Sequence, residues 1–481
     1  MKIKQEHGER PVLRTHIALC AGLLFIGSAD ADQVDDVVRA EMARQHIPGV
    51  SISVVKGGRI VKEKGYGIAN VEHQVAVTPV TVFQSASVGK QFTAALTMLL
   101  VEDGKINLDA PVSTYLPSVP DTWAKITVRH LLTHTSGLPA NDKSIDLHRD
   151  YSEDELLQAA TKVSLQAAPG DQWIYSNLGY QVLGILCSNV GGKFYGDQLR
   201  ERIFKPIDMK ARIISERDIV PHRAAGYDRV NGRLFNQEWV SPTLNTTADG
   251  CLYMTAHDLA RWSIALDEDK VLSSAIKDAS WTPARLNDGN VIDYGFGWEI
   301  HSSNGHRRIE HNGAWQGFMS QISRFPGDKV AVIVLLNRSH ARPGDIVDKI
   351  GAQYIPGLSS EHAAPPSAST FGLTPFFLRG SMNKWGVSDR MQKVDESTYE
   401  AVITLDAGIQ EFKVGSEDWE AIDFGAAFDE PSTDLDKAKP MEFKGTNLML
   451  QVPQLAQYAF RFDVRRPRNP LLTVRRSAGV R

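Results

Sequence analysis

The sequence predicts an α+β fold followed by an all-β segment, and three patterns carry that expectation. Gly49 to Asn70 reads as a β-hairpin: an extended run Val50 to Val55, a Lys56-Gly57-Gly58 turn, then Ile60 to Ala69. Phe92, Ala95, Leu96, Leu99 and Leu100 then recur at helical spacing. Past residue 370, short strand-like runs alternate with turns, as in a β-sandwich.

The chemistry concentrates where the hairpin hands over to the helix. Ser87-Val88-Gly89-Lys90 places a hydroxyl and an amine three residues apart. Residues at that spacing share a helix face, with Cβ atoms about 5–6 Å apart. The helix N-terminus also favours negative charge developing at Ser87. Alone the pattern is weak, because Ser274-Ala275-Ile276-Lys277 repeats it without partners. A phosphate-loop reading of Gly89-Lys90 fails, since Gln84 and Gln91 stand where that loop needs glycine and a hydroxyl residue.

Two further elements change the weighing. Tyr175-Ser176-Asn177 is the only Tyr-x-Asn triplet among 12 tyrosines, and it joins a Pro169-Gly170 turn and a short extended piece to an apolar helix from Tyr180 to Val190. His311-Asn312-Gly313 is the only His-x-Gly triplet among 14 histidines. It precedes Ala314-Trp315-Gln316-Gly317-Phe318, a turn at Pro326-Gly327-Asp328 and the β-branched run Val330 to Leu336, which read as adjacent strands.

Three such elements in this order resemble the serine β-lactamase and penicillin-binding-protein superfamily. The likeness runs from about residue 35 to 340 and is closer to the class C branch, with its D-aminopeptidases and family VIII esterases. Ile126 to Leu138 and Tyr294-Gly295-Phe296-Gly297-Trp298 resemble that branch too. The resemblance implies a β-lactamase/transpeptidase-like fold. In it an antiparallel sheet, with N- and C-terminal helices on one face, meets a helical region, and the site lies in the cleft between them.

Ser87 would then attack a carbonyl and form an acyl-enzyme, with Lys90 as a candidate base. The family implies that Tyr175 shares the proton, and sequence leaves open which of the two is the primary base. Asn177 would hold Lys90 and the acyl chain; its alternative is a turn or helix-capping role. Backbone N–H groups of Ser87 and Ala314, just past Gly313, match the family's oxyanion donors. His311 stands where β-lactamases and D,D-peptidases of the superfamily generally carry lysine, and no Lys-Thr-Gly or Lys-Ser-Gly occurs in the chain. Histidine is mostly neutral near pH 7, so attraction for an anionic leaving fragment weakens or becomes pH-dependent. Ester, amide or D-amino-acid substrates are favoured. A class C β-lactamase is the first alternative and a slow-turnover penicillin-binding or glycan-binding protein the second. His311 could instead simply fill the site wall, and His134 and Ser136 read as structural.

Composition bounds the rest. At 481 residues, 42% hydrophobic and with a formal net charge of −4, the chain has room for two domains and no basic stripe for nucleic acid. Residues 1–31 read as a signal peptide: Lys2, Lys4, Arg10 and Arg14 precede the apolar stretch Ile17 to Gly27, and Ala29-Asp30-Ala31 fits a cleavage site. Export to the periplasm or medium without a stable membrane anchor follows, with a retained N-terminal anchor as the alternative. Cys187 and Cys251 would remain, with no sign of pairing. No cysteine–histidine cluster suggests a metal, and no cofactor is expected; the substrate would be a small molecule or peptide. Oligomeric state is not legible.

The expected domains are the hydrolase at 32–357, a linker at 358–370 and a β-sandwich at 371–481. Phe377 to Trp385 and Glu411 to Trp419 resemble immunoglobulin-like starch-binding and pullulanase-accessory modules. Trp385 and Trp419 are therefore candidates for stacking on a glycan, or else for packing within the sandwich.

Overall fold

The computed structural model describes residues 29–477, apart from Pro117, 141–144, 213–217, Asn231, 361–369, 372–373, Asp418, 420–421, 427–430 and Arg468, and apart from the side chains of 29–32. Residues 1–28, where most of the expected signal peptide falls, and most of the expected linker lie outside the described residues.

A seven-stranded, wholly antiparallel sheet organises the first part of the chain. Its order is Glu299–Ser303, His306–Trp315, Phe318–Phe325, Val330–Leu336, Gly49–Lys56, Arg59–Asn70 and Val75–Ala76. The Gly49–Asn70 hairpin forms as expected, its turn made by Gly57 and Gly58 at φ 58° and 74°. Its long-range partner is Val330–Leu336, with Val50 facing Leu336 and Val54 facing Val332.

Alternation along these strands supplies two apolar faces. Val50, Ile52, Val54, Val332, Val334 and Leu336 pack on one side against the first helix, Ala29–Arg44, and on Pro343–Tyr354. Val55, Ala331, Ile333 and Leu335 face the opposite way, into the core shared with Lys90–Glu102, Asn177–Gly191 and Ala256–Asp267. The sheet thus lies between terminal helices and a helical region, as the family resemblance implied.

The C-terminal segment is all-β, with its own core of residues such as Phe376, Phe412, Phe424, Tyr458 and Phe462. Nine antiparallel strands are connected: eight follow one path, Leu448–Val452 branches from Gly408–Ser416, and Ala438–Phe443 links the ladder on Asp423–Ala426 to the one on Leu471–Arg476. The expected β-sandwich anticipated strands such as Thr398–Leu405 and Ala456–Asp463, while alternating apolar residues do not reveal which edges pair. Among the described residues, no helix is long and apolar enough to cross a membrane.

Candidate active site

Ser87 sits in a tight turn, Ala86–Gly89, that runs straight into the helix Lys90–Glu102. Ala86 holds φ at 48°, a left-handed conformation that a side chain resists and that its surroundings must enforce. Those surroundings are two glycines. A Cβ on Gly250 would fall 2.3 Å from the Ala86 carbonyl oxygen, and one on Gly313 would fall 2.8 Å from the Ser87 nitrogen. The turn is clamped between them, and the Ser85 carbonyl accepts from Ser320 Oγ at 2.5 Å.

Lys90 is fully buried one turn later. Its Nζ donates to Ser87 Oγ at 3.0 Å, to Asn177 Oδ1 at 2.7 Å and to the Asp249 carbonyl at 2.5 Å. These contacts use the three donors of an ammonium. Asn177 opens the helix Asn177–Gly191, capped by Ser176, whose Oγ accepts from Gly179 N. Asn177 therefore holds Lys90 from a helix start. Tyr175 lies in irregular backbone rather than a strand, with its half-buried ring centred 5.0 Å from Lys90 Nζ. Gly313 and Ala314 lie near the end of the strand His306–Trp315; the Gly313 backbone runs against Ser87 N, and Ala314 lines the same cavity as Ser87.

His311 is placed differently from a group awaiting substrate. Its ring is buried, and both nitrogens are engaged: Nδ1 lies 2.6 Å from the Asn312 carbonyl and Nε2 lies 3.0 Å from Tyr294 Oη. Tyr294 Oη also lies 3.2 Å from His134 Nε2, and Ser176 N donates to His134 Nδ1 at 3.0 Å. Donor and acceptor rules fix the protons along this chain. His134 Nδ1 accepts, so its Nε2 carries hydrogen and donates to Tyr294. The Asn312 carbonyl can only accept, so His311 Nδ1 carries hydrogen and Nε2 accepts from the Tyr294 hydroxyl. Burial, reinforced by the charge of Lys90, lowers the pKa of both histidines, and burial raises that of Tyr294 well above its usual value. The relay is neutral, and it meets Tyr175 through the His134 ring, centroid to centroid 4.3 Å.

Sequence reading missed this role for His134, read as loop structure, and missed Tyr294 and Asp249. Tyr294 falls in the family-like stretch Tyr294 to Trp298, which was the available signal. Asp249 had none.

A cavity of about 400 Å³ opens beside Ser87. Ile145, Leu147, Leu244 and Trp315 give it apolar walls, while Gln181 and Asp249 are among its polar groups. Cys251 borders it and Cys187 lies in the core; both are free, and burial pushes each thiol up to about 12.

Glu299, His301 and Glu310 bring ligand-type atoms within 4.8 Å of one another. Burial opposes protonation of His301, but hydrogen bonds to Glu299 and Glu310 outweigh it and raise the imidazole to about 10. Glu310 Oε2 also accepts from Arg308, Gln321 and Ser323, which ties the three groups into a wider network. The cluster is an ion-pair network.

Trp385 and Trp419 lie with centroids 6.2 Å apart, both half-buried. The Arg379 guanidinium sits 3.9 Å from the Trp419 ring centre, and Gly415 lies against the ring's edge.

The comparisons agree with this geometry. Residues 34–353 match the Beta-lactamase family. The chain is 30% identical over 319 residues to "Penicillin-binding protein 4*" of Bacillus subtilis, covering 62% of this chain and 70% of that protein. It is 27% identical to "Protein flp" of Staphylococcus aureus, covering 67% of this chain and 66% of that one. Among solved structures, the D-amino acid amidase of Ochrobactrum anthropi superposes with a TM-score of 0.57 at 26% identity, over 64% of this chain and 91% of the amidase. The octameric penicillin-binding protein homologue of Pyrococcus abyssi reaches 0.63 at 22% identity, over 92% and 100%, which shows a shared fold. The chain belongs to the β-lactamase family, and the matched span contains Ser87, Lys90, Tyr175, Asn177 and His311.

Proposed function

We propose that this protein is an exported serine hydrolase that cleaves esters or amides, including D-amino-acid and peptide-type substrates, through an acyl-enzyme on Ser87. The observation that carries this is Lys90 Nζ at 3.0 Å from Ser87 Oγ, fixed there by Asn177 and the Asp249 carbonyl. Ser87 Oγ attacks the substrate carbonyl carbon as its proton passes to Tyr175 or to Lys90, which serves as base only in its neutral form, with a lone pair rather than a third N–H turned toward Ser87. The oxyanion draws on the backbone N–H groups of Ser87 and Ala314. Collapse breaks the bond to the leaving alcohol or amine, which departs with a proton returned from the same pair. Water then attacks the acyl carbon and releases the acid.

The Tyr-x-Asn and His-x-Gly triplets support a place in the class C-like branch. The neutral, doubly hydrogen-bonded His311 supports esters and amides over substrates that need a cation for a carboxylate. The C-terminal segment is an accessory unit in this reading. Its tryptophan pair braces Arg379, which argues for packing over an open sugar platform.

Penicillin-binding names among the relatives favour a second reading, a protein that acylates and hardly turns over. Stopped-flow with a chromogenic ester and with nitrocefin separates the two. Continued release supports the hydrolase; a stoichiometric burst without turnover supports the binder. Fluorophosphonate labelling that survives Ser87→Ala overturns both.

A further inference from the structure

A two-stranded hairpin stands apart from the two large sheets. Tyr227–Val230 pairs with Arg233–Asn236, and among the described residues no third strand joins them. Its root is tied down: Tyr227 is buried, its hydroxyl accepts from Val71 N at 2.7 Å, and the Asp228 carboxylate accepts from Ser339 Oγ. Its outer strand is not. Every residue of Arg233–Asn236 is exposed, Leu234 at 37% and Phe235 at 47%, and Val230 opposite Arg233 is 54% exposed. Residues directly opposite one another share a face of the ribbon. Val230, Arg233 and Phe235 therefore lie on one face, while Leu234, opposite Arg229, lies on the other. Apolar side chains meet water on both faces.

The exposed strip continues along the chain to the catalytic cavity. Trp239, 56% exposed, stacks on His148 with ring centres 6.1 Å apart, and Ser241 N donates to the Leu147 carbonyl at 2.8 Å. Leu147 is itself partly exposed and lines the cavity beside Ser87.

Charge and shape decide what covers this strip. Between 229 and 236 the chain carries Arg229 and Arg233 and no carboxylate. The Arg233 guanidinium lies 5.8 Å from the Phe235 ring centre, a cation beside apolar surface. Glu72 meets the hairpin only at its root, where it accepts from Asn236 Nδ2 at 2.6 Å, and Glu238 lies beyond the outer strand. A rigid partner covers one face of a ribbon, whereas fluid lipid surrounds both. Arginine stems lie along apolar surface while their heads reach lipid phosphates, and tryptophan favours the headgroup level.

We infer that the hairpin Tyr227–Asn236 and Trp239 dock reversibly on an anionic lipid surface and bring the mouth of the Ser87 cavity to it. The docking does not depend on the acyl-enzyme reading.

The test sediments the full-length protein with vesicles of phosphatidylcholine alone and with vesicles of phosphatidylcholine and phosphatidylglycerol in equal parts. Partitioning should be about tenfold or more stronger on the anionic vesicles, as two arginines near such a surface allow. Leu234→Ser with Phe235→Ser, and separately Arg229→Gln with Arg233→Gln, should each weaken it by about tenfold. Each comparison is with the wild type, so lipid contact by any other segment cancels. Equal partitioning onto both vesicle types, or none onto either, overturns the docking without requiring any variant to fold. Partitioning unchanged in either double variant overturns it too. A wild type that is dimeric in sedimentation velocity, and monomeric once Leu234 and Phe235 are replaced, also overturns it, because a second copy then covers the strip.

Discussion

Gly313 passes Ser87 so closely that a Cβ on it would stand 2.8 Å from the Ser87 nitrogen, 2.6 Å from the Ser85 carbonyl oxygen and 2.6 Å from Ser320 Oγ. The strand end and the nucleophile turn are thereby set at one separation, on which the proposed pairing of the Ser87 and Ala314 backbone donors depends. Gly313→Ala must push the two backbones apart. Misplacement on the order of 1 Å costs about 100-fold in rate, and overpacking about 1–3 kcal/mol in stability. The variant should lose turnover of a chromogenic ester by about that factor and unfold at lower urea. Wild-type kcat/KM in this variant would remove the close approach from the mechanism.

Lys90 offers a sharper test because its Nζ donates directly to Ser87 Oγ at 3.0 Å. Lys90→Met fills similar volume without the amine. Acylation by a fluorophosphonate should slow by about 10²–10⁴-fold, the range for losing a positioned acid–base group. Lys90→Arg should not restore it, since a planar guanidinium cannot replace a compact ammonium among Ser87, Asn177 and the Asp249 carbonyl. Acylation at the wild-type rate in Lys90→Met would shift the base role to Tyr175.

What the sequence disclosed follows from the range of the forces involved. Ser87 and Lys90 were legible because a helical turn brings residues three apart together whatever surrounds them. The same spacing at Ser274 and Lys277 leads elsewhere: Ser274 Oγ bonds Asp269, and Lys277 Nζ donates to the Leu266 carbonyl at 2.5 Å. Spacing alone therefore selects nothing; Asn177, arriving from 87 residues away, does. The hairpin at Gly49–Asn70 was legible for the same local reason. Asp249, Gly250, His134 and Tyr294 were not, because their roles exist only when separate loops converge. His311 was found by its triplet, but its burial and its bond to Tyr294 belong to tertiary packing.

The network at His301 predicts an alkaline loss of stability. Burial disfavours its charged form, yet Glu299 and Glu310 raise it to about 10, above the ordinary ~6.5 of an unfolded histidine. The folded state then holds the proton more tightly. Its stabilisation is complete below pH ~6.5 and disappears as pH rises through about 10. Urea midpoints followed across that interval should fall more in the wild type than in His301→Gln. Parallel curves would show that the imidazole is not held cationic by the two glutamates.

His134 and His311 predict the opposite slope. Burial lowers both, with Lys90 adding to the effect, so the folded state keeps them neutral where the unfolded chain takes up protons. Stability is therefore complete above pH ~6.5 and declines as pH falls toward the lowered folded values. Each histidine adds at most about 1.4 kcal/mol per pH unit to that slope. His311→Gln can retain an acceptor for the Tyr294 hydroxyl while removing one titrating group. Its unfolding free energy should fall less steeply than the wild type's between pH ~6.5 and ~5, by up to one proton's worth. Should the two slopes coincide, His311 would take up its proton in the folded protein as readily as in the unfolded chain. The Tyr294 hydroxyl could then no longer donate to its Nε2, and the neutral relay beside Tyr175 would have to be abandoned.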